Sequence, residues 1–357
     1  MLDFVIVGAG LYGCVSARIL TDKGYNCVVI DKRSHIGGNC YTENQHGIQV
    51  HMYGPHSFHT NNSDVWHFIR KFTVFNNFNN HTKVNYKNSI YSFPINMFTL
   101  HQIWGVCSPE EAKQKLKESR IHIEHPDNIE DYCLSTIGEE LYKIFIYGFT
   151  KKQWGKEPKN LPASIIKRIP IRLTYNDSYF NDTYQGIPIG GYTKLFENLL
   201  DGIKVHTNVD YLKERDKWKA KKTIYTGAID EFFNYELGEL EWRSMIFEHI
   251  FIKDTDYQGN CIINYTDAET PHKRIIEHKH FDFHNQKDTI ITKEFSDSWD
   301  RSKEKFYPIN DVKNNTLYEK YRKMIPENFI FGGRLARYKY YDMDQVIASA
   351  LKTVTKL

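Results

Sequence analysis

The chain has 357 residues, and its 47 lysines and arginines against 44 aspartates and glutamates give a formal net charge of +3. This balance excludes a polyelectrolyte tail and a basic surface on the scale that nucleic acids need, so any anionic ligand must be held by local groups. The length exceeds the size at which one core usually divides into domains. Tyr, Phe and Trp make up 15% of the residues, so much of the apolar surface is aromatic.

No apolar run approaches the roughly 20 residues that span a bilayer, so no membrane insertion is expected. The N-terminal segment has neither the basic region nor the cleavage site of a signal peptide, which predicts a cytoplasmic protein. The six cysteines include no CxxC pair, so we expect reduced thiols and no metal.

The first 31 residues predict a strand, a glycine turn, a helix and a second strand. The β-branched run at 4–7 leads into Gly8-Ala9-Gly10-Leu11-Tyr12-Gly13, and the apolar run at 26–30 ends at Asp31. Such glycines allow a tight turn and close approach of a pyrophosphate to the helix N-terminus. Asp31 is placed to accept hydrogen bonds from ribose hydroxyls. This context favours dinucleotide binding over a purely structural turn.

A basic pair and a second glycine pair follow Asp31, in Lys32-Arg33 and Gly37-Gly38-Asn39. A second loop of this kind suits FAD, because its pyrophosphate and ribityl chain need more backbone contacts than one turn provides. Further along, His56 and His59 lie in an aromatic loop without a third metal donor. From the residues alone we interpret these imidazoles as hydrogen-bonded to backbone.

The middle of the chain changes pattern twice. Residues 109–147 have helical periodicity, and residues 232–300 contain short β-rich runs that predict an antiparallel sheet. The late run at 329–331 precedes Asp342, a predicted N-cap of a helix through Leu351. A late strand and helix can return to the first sheet, where the helix N-terminus would stabilise an anionic reduced flavin.

Aromatic and cationic residues alternate with Pro and Gly between residues 149 and 193. A mobile loop carrying Trp154 and Arg168 over an aromatic wall could stack a base and clamp a diphosphate. A surface loop with an amphipathic stem explains the same pattern. The residues alone leave both interpretations open.

The sequence resembles the bacterial UDP-galactopyranose mutases from end to end, in many separate blocks that keep their order. These are the GxGxxG unit, Ile36-Gly37-Gly38-Asn39, Tyr53-Gly54-Pro55-His56, Lys152-Gln153-Trp154-Gly155, Leu161-Pro162-Ala163 through Lys167-Arg168, Trp242-Arg243-Ser244, Arg274-Ile275-Ile276-Glu277-His278-Lys279-His280-Phe281, Tyr307-Pro308-Ile309 and Gly333-Arg334-Leu335 through Asp342-Met343-Asp344.

The resemblance implies an isomerase without net redox change, active with reduced FAD, that interconverts UDP-galactopyranose and UDP-galactofuranose. In that family the sugar's anomeric carbon bonds transiently to N5 of the reduced flavin while UDP departs and returns, and the product supplies galactofuranose for cell-surface polysaccharide. The resemblance also implies NAD(P)H or another reductant for activation and a homodimer, with no nucleic-acid partner.

The resemblance assigns site residues in three groups. The catalytic group is Arg168, Arg243, Tyr340, Asp342 and His59. The cofactor group is Gly8, Gly10, Gly13, Asp31, Lys32, Arg33, Gly38, Asn39, His56, Arg334 and Met343. The substrate group is Asn80, Phe145, Phe149, Thr150, Trp154, Tyr179, Phe180 and Tyr307. Arg168 and Arg243 are expected to grip the two phosphates, and Tyr179, Tyr307 and Tyr340 to hydrogen-bond them.

Three departures from the family pattern stand out. Phe149 replaces a usual Tyr, Trp242 replaces a Tyr, and His272-Lys273 replace a Tyr-Thr pair. The first keeps a stacking face but loses a hydroxyl hydrogen bond to the uracil.

The expected fold is α/β, a discontinuous Rossmann-like FAD-binding domain with a helical insertion and an antiparallel sheet domain. The FAD-binding domain takes residues 1–70, 183–231 and 328–357, the helical domain with its mobile loop 95–168, and the sheet domain 71–94, 169–182 and 232–327. Two alternatives are an FAD-dependent oxidoreductase of the amine-oxidase type, which would consume an electron acceptor, and a non-catalytic flavin-binding protein.

Overall fold

The structure, a computed structural model, describes residues 2–167, 170–282 and 286–357. Its strands are β1 (Leu2–Val7), β2 (Cys27–Ile30), β3 (Thr42–Gln45), β4 (Ile48–His51), β5 (Phe58–Thr60), β6 (Lys83–Tyr86), β7 (Ser89–Ser92), β8 (Tyr184–Gly186), β9 (Lys204–His206), β10 (Ala220–Tyr225), β11 (Trp242–Ile252), β12 (Ile262–Tyr265), β13 (Arg274–Glu277), β14 (Thr289–Ser298), β15 (Tyr307–Pro308) and β16 (Phe329–Phe331). Its α-helices are α1 (Leu11–Asp22), α2 (Ser63–Ile69), α3 (Met97–Trp104), α4 (Pro109–Ser119), α5 (Ile129–Thr136), α6 (Gly138–Tyr142), α7 (Gly148–Trp154), α8 (Gly191–Leu199), α9 (Ile229–Phe232), α10 (Val312–Arg322), α11 (Gly333–Ala336) and α12 (Met343–Val354).

The described chain separates into two compact units. Unit one contains the chain up to Phe78, Asp182–Trp242 and Lys305–Leu357, and unit two contains Asn79–Asn181 and Arg243–Glu304. The finer division into three domains stays a prediction.

The central sheet of unit one is parallel, in the order β16-β10-β1-β2-β9. Strands covered on both faces read as continuous apolar runs, and Val5, Ile6, Val29 and Ile30 are all fully buried. Helix α1 packs beside α12 from the far end of the chain. The Rossmann-like domain is therefore built from both ends of the sequence, as predicted, with β16 joining the sheet through β10.

The main sheet of unit two contains the order β11-β14-β13-β12-β6-β7. Its longest pair is antiparallel and runs from Arg243 opposite Ser298 to Ile252 opposite Thr289. The predicted antiparallel sheet is confirmed, with one addition: β12 pairs with β6 in parallel. That pair joins Ile263 to Lys83, a long-range contact that local alternation cannot indicate.

The helices of unit two enclose an apolar core that also takes in Phe93 and Val84 from the β-strand region. Helix α4 begins at a capping box in which Ser108 and Glu111 satisfy each other's backbone N–H groups, with Pro109 at the first helical position. Leu116, Leu141 and Phe145 are buried in this core, as the helical periodicity of residues 109–147 predicts, and Leu100 of α3 is buried with them.

No helix in the described ranges is long and apolar enough to cross a bilayer. The six cysteines are free thiols, and only Cys107 among them is exposed. Burial raises the pKa of Cys40 and of Cys133 to about 12, so these thiols stay protonated and unreactive at neutral pH.

Unit two contains a buried histidine, from which we predict that the stability of the protein falls in acid. His278 is 1% exposed, its Nε2 lies 2.6 Å from Thr292 Oγ1, and burial lowers its pKa to about 3. Below about pH 6.5 the unfolded chain binds a proton that the folded chain does not bind until about pH 3, so stability falls as the pH falls through this window. Between pH 7 and 4.5 we expect the free energy of unfolding of His278→Gln to fall by about 3 kcal/mol less than that of the wild type, as measured by urea unfolding.

The exposed His122 of the same unit supplies the control, because His122→Gln should keep the wild-type pH slope. Equal slopes for His278→Gln and the wild type would contradict the assignment.

Candidate active site

The first glycine loop of unit one is shaped by close approach. A Cβ at Gly13 would lie 1.9 Å from the carbonyl oxygen of Gly8, so only glycine lets α1 start this close to β1. Gly10 differs, since it has φ −79° and its Cβ would come no closer than 3.8 Å to Gly38 Cα. The protein itself therefore accepts a side chain at Gly10, and the space left there beside the N-terminus of α1 fits an approaching phosphate.

Asp31 fixes this loop to the end of β2. Its Oδ2 accepts the N–H of Ala9 at 2.6 Å and its Oδ1 accepts the N–H of Arg33 at 2.8 Å, and the residue is 8% exposed. A carboxylate oxygen accepts more than one hydrogen bond, so a ribose contact is compatible with this arrangement. The cofactor role of Asp31 stays a prediction.

The second glycine pair packs on the first loop. Gly37 donates its N–H to the carbonyl of Ala9 at 2.8 Å, and a Cβ at Gly38 would lie 3.0 Å from Gly10 Cα. Arg33 donates to Asn39 Oδ1 at 3.0 Å and lies over the Tyr53 ring, with Lys32 exposed beside it. The structure thus brings most of the predicted cofactor residues to one edge of the parallel sheet, an arrangement that suits a dinucleotide.

The two histidines hold protein partners. His56 Nδ1 lies 2.8 Å from the carbonyl of Gly54, and His59 Nδ1 lies 2.7 Å from Asp182 Oδ2. Asp182 also accepts from Asn61 at 2.6 Å. The backbone interpretation is right for His56, whereas His59 is oriented by a carboxylate that the sequence did not indicate.

A second cluster of unit one collects aromatic and cationic residues near its C-terminal end. Tyr307 and Tyr340 are stacked with ring centroids 5.7 Å apart, and the Arg334 guanidinium carbon lies 5.7 and 5.0 Å from them. Arg334 also donates to the carbonyl of Tyr341 at 2.6 Å. Asp342 is the N-cap of α12 and Met343 its first residue, as predicted, and the N–H of Asp342 donates to Gln345 Oε1.

In unit two the predicted substrate residues gather around a π-helical turn, Lys143–Tyr147, between α6 and α7. Such turns are frequent at functional sites. Phe145 is 2% exposed, and its ring stacks on Phe93 at 6.0 Å. The helical periodicity of this region gave no sign of the wider turn.

The Phe93 ring connects the remaining predicted aromatics. Tyr179 lies 6.1 Å from Phe93 and 4.9 Å from Phe180, between ring centroids. The N–H of Tyr179 donates to the carbonyl of Asn80 at 2.7 Å. Asn80, Phe145, Tyr179 and Phe180 thus form one group within unit two.

Helix α7 carries Phe149, Thr150 and Trp154 and is held by the buried Arg243 and the partly buried Lys152. Arg243 is 6% exposed and donates to the carbonyls of Gln153 and Lys152 and to Ser298 Oγ. Lys152 Nζ donates to three carbonyls at 2.7 to 3.2 Å, and burial lowers its pKa to about 8. Arg243 therefore anchors α7, and its phosphate contact stays a prediction.

Arg274 lies beside the Phe149 ring of α7, although it is not among the site residues predicted from the sequence. Its guanidinium carbon lies 5.8 Å from the Phe149 ring centroid, and it occupies the first position of β13. The signal was a basic residue opening an apolar strand within a block quoted for the resemblance. Arg168, the predicted clamp on the loop after α7, lies outside the described residues.

One group of described residues has the donor set of a metal site, Asp256, Glu277 and His280. The Lys279 ammonium lies 2.9 Å from Asp256 Oδ1, and Glu277 already accepts backbone N–H groups from Tyr257 and Gln258. The Lys279 ammonium and two backbone N–H groups thus already hold these carboxylates.

The fold defines a Rossmann-type protein of two units, one built on a parallel sheet with a glycine loop and the other on a largely antiparallel sheet. A family model for UDP-galactopyranose mutase matches residues 144–340, and one for an NAD(P)-binding Rossmann-like domain matches residues 6–72. The chain is 41% identical to the dTDP-fucopyranose mutase of Escherichia coli, covering 99% of this chain and 97% of the relative. It is 39% identical to a probable UDP-galactopyranose mutase of Klebsiella pneumoniae, covering 98% and 93%.

Among solved structures, reduced UDP-galactopyranose mutase matches with a TM-score of 0.77 at 16% identity, covering 99% of this chain and 93% of that one. The chain belongs to the UDP-galactopyranose mutase family and is a flavin-dependent isomerase of that family. Human amine oxidase B is 45% identical over only 11% of the chain, so the amine-oxidase alternative reflects a distant relationship.

The two glycines predict separable defects. In Gly10→Ala the methyl group fits the protein but occupies the space proposed for the cofactor, so we expect at least a tenfold loss of bound flavin with unfolding free energy within about 1 kcal/mol of wild type. In Gly13→Ala the new methyl group collides with the Gly8 carbonyl, so both the bound flavin and the free energy of unfolding should fall.

Flavin-to-protein absorbance ratios and urea unfolding of the apoprotein measure the two effects, with the exposed Ser34→Ala as the control. Full flavin occupancy in Gly10→Ala would contradict the placement.

Proposed function

We propose that this protein interconverts UDP-galactopyranose and UDP-galactofuranose with FAD in its reduced form. The observation that supports this most strongly is the α7 region of unit two, where aromatic rings and two arginines meet in a chain of the mutase family. A base and a diphosphate need this combination of a stacking surface and planar cations.

In unit one, the glycine loops would hold the FAD pyrophosphate at the N-terminus of α1, with Asp31 accepting from the ribose. Reduced FAD, when bound, supplies a nucleophilic N5 that displaces the nucleoside diphosphate from the anomeric carbon, and no net oxidation follows. NAD(P)H or another reductant would activate the enzyme. Nucleotide sugars and NAD(P)H are cytoplasmic, so we place the enzyme there, and the family resemblance supports a homodimer.

The departing diphosphate needs charge that stays fixed. Arg274, Arg243 and Arg168 are the proposed phosphate ligands, because a guanidinium keeps its proton even when buried and makes bidentate hydrogen bonds. Tyr307 and Tyr340 would add phenolic O–H donors. His59, oriented by Asp182, would orient sugar hydroxyls together with Asn80 and Asp342.

The uracil would stack on Phe149 and Trp154. Phe145 is too deeply buried to offer a ring face, so we propose that it supports the pocket from behind, while Thr150, Tyr179 and Phe180 complete the wall. These assignments use aromatic faces and backbone groups, which bind a base without requiring charge.

A second candidate substrate is dTDP-fucopyranose, favoured by the 41% identity to the E. coli enzyme of that name. The two substrates differ by a methyl group on the base, by the 2′-hydroxyl of the ribose and by the 6-hydroxyl of the sugar. Loss of a hydroxyl that a site hydrogen-bonds is discriminated strongly, whereas a single methyl in an apolar pocket is discriminated weakly.

The substrate is decided by anaerobic turnover of dithionite-reduced protein with UDP-galactofuranose and dTDP-fucofuranose, read by chromatography. We expect kcat/KM at least tenfold higher for the UDP sugar and no oxygen uptake linked to turnover. A preference for the dTDP sugar would establish the second candidate, and turnover of neither would refute the proposed function.

If the three arginines bind the diphosphate, replacing one of them should weaken the reaction with the nucleotide sugar without changing the amount of bound flavin. Arg168→Ala, Arg243→Ala and Arg274→Ala should each lower kcat/KM at least about 100-fold, since each removes charge-assisted hydrogen bonds to the diphosphate. Flavin content should stay at the wild-type level.

The exposed Arg120→Ala of unit two should keep full activity and serves as the control. Wild-type kcat/KM in Arg274→Ala would remove Arg274 from the site.

A further inference from the structure

A buried lysine next to the site has a position that packing alone does not explain. Lys273 is 1% exposed, and its Nζ lies 2.5 Å from Glu294 Oε1 and 2.5 Å from Gln153 Oε1. Glu294 is 1% exposed. A buried carboxylate needs a cation, and it takes the nearest one.

Two cations compete for this carboxylate. Arg274 stands directly opposite Glu294 in the β13–β14 register, yet its Nε lies 3.8 Å from Glu294 Oε1. The Lys273 ammonium is 1.3 Å closer, by subtraction of the two distances (3.8 and 2.5 Å). The tight ion pair is therefore with Lys273, and Arg274 holds only the looser contact with this oxygen.

Lys273 is also connected to Arg243, through Gln153. Gln153 accepts Lys273 through its side-chain oxygen and Arg243 through its carbonyl, at 2.5 and 3.0 Å. The charged groups packed around the Lys273 ammonium are thus Glu294 from β14, Arg274 from β13 and Arg243 from β11. The charged Lys273 neutralises the Glu294 carboxylate. The positive charges of Arg274 and Arg243 are then not needed to balance Glu294 and can attract an anionic ligand.

We propose that Lys273 is a positioning residue that holds the Glu294 carboxylate away from Arg274, leaving the Arg274 guanidinium to the diphosphate of the nucleotide sugar. This inference rests on the proposed function, because it assigns Arg274 to the substrate. Burial lowers the pKa of Lys273 to about 8, so its charge is present at neutral pH.

The test uses the flavin-loaded protein and UDP alone, with the Kd measured by titration calorimetry. In Lys273→Met the carboxylate loses its closest cation and draws the neighbouring Arg274 toward itself. Kd for UDP and KM for the nucleotide sugar should therefore each rise at least tenfold, while kcat stays within threefold. In the double variant Lys273→Met with Glu294→Gln the competing charge is gone, so Kd should return to within threefold of wild type.

A packing role for Lys273 would not produce this rescue. Lys279, another nearly buried lysine with a carboxylate partner in unit two, gives the matched control, and Lys279→Met should keep Kd within twofold. The inference is overturned if Lys273→Met binds UDP as wild type does, or if the double variant binds as weakly as the single one.

Glu294→Gln alone decides the matter if Lys273→Met does not fold. We expect it to bind UDP at least as tightly as wild type, and a tenfold weakening would overturn the inference. Wild-type protein that converts neither nucleotide sugar would refute the proposed function. Normal wild-type turnover with an unaffected Lys273→Met would refute only the role of Lys273.

Discussion

The structure of unit two depends on cations that hold the short helix α7 by donating hydrogen bonds to main-chain oxygens. Lys152 and Arg243 together donate to five backbone carbonyls around α7, and Lys273 fixes the Gln153 side chain. A buried charge is costly without such partners. If the carbonyl oxygens that accept from either cation were lost, α7 would no longer be held in place. The position of Phe149, Thr150 and Trp154 follows from this anchoring.

The nucleotide-binding unit obeys a different constraint, the close approach of backbone to backbone. In the first loop, Gly13 at the start of α1 lies close to the carbonyl oxygen of Gly8. In the second loop, Gly38 packs closely on Gly10. Asp31 ties both loops to β2 through the N–H groups of Ala9 and Arg33. A surface without side chains at a helix N-terminus is what a pyrophosphate requires, so the modest net charge of the chain is compatible with anionic ligands held locally.

The sequence predicts the parts of the fold that local pattern determines. Continuous apolar runs mark β1, β2 and β16, and Asp342 marks the start of α12, because burial and capping act over a few residues. The π-helical turn at Lys143–Tyr147 is different, since it adds a residue to a helical ladder without changing the apolar spacing. The β12–β6 pairing joins distant segments and leaves no local trace.

The motifs of the candidate site can be recognised in the sequence, whereas its buried charged pairs cannot. Gly10, Asp31 and Trp154 stand in recognisable blocks, whereas nothing in the local sequence pattern indicates that Lys273 and Glu294 are buried. The pairing of β13 with β14 brings the Lys273 ammonium to the Glu294 carboxylate. Arg274 and the orientation of His59 by Asp182 depend on the same kind of long-range register. Burial of a charged residue is a property of its neighbours, so one sequence cannot reveal it.

In the proposed reaction the flavin acts as a catalyst and is not consumed. The most direct measurement reduces the protein once under anaerobic conditions, removes the reductant, adds a large excess of UDP-galactofuranose, and records product and flavin absorbance together. We expect many turnovers per flavin while the flavin stays reduced. Reoxidation of the flavin in step with product, or product limited to one equivalent per flavin, would contradict it.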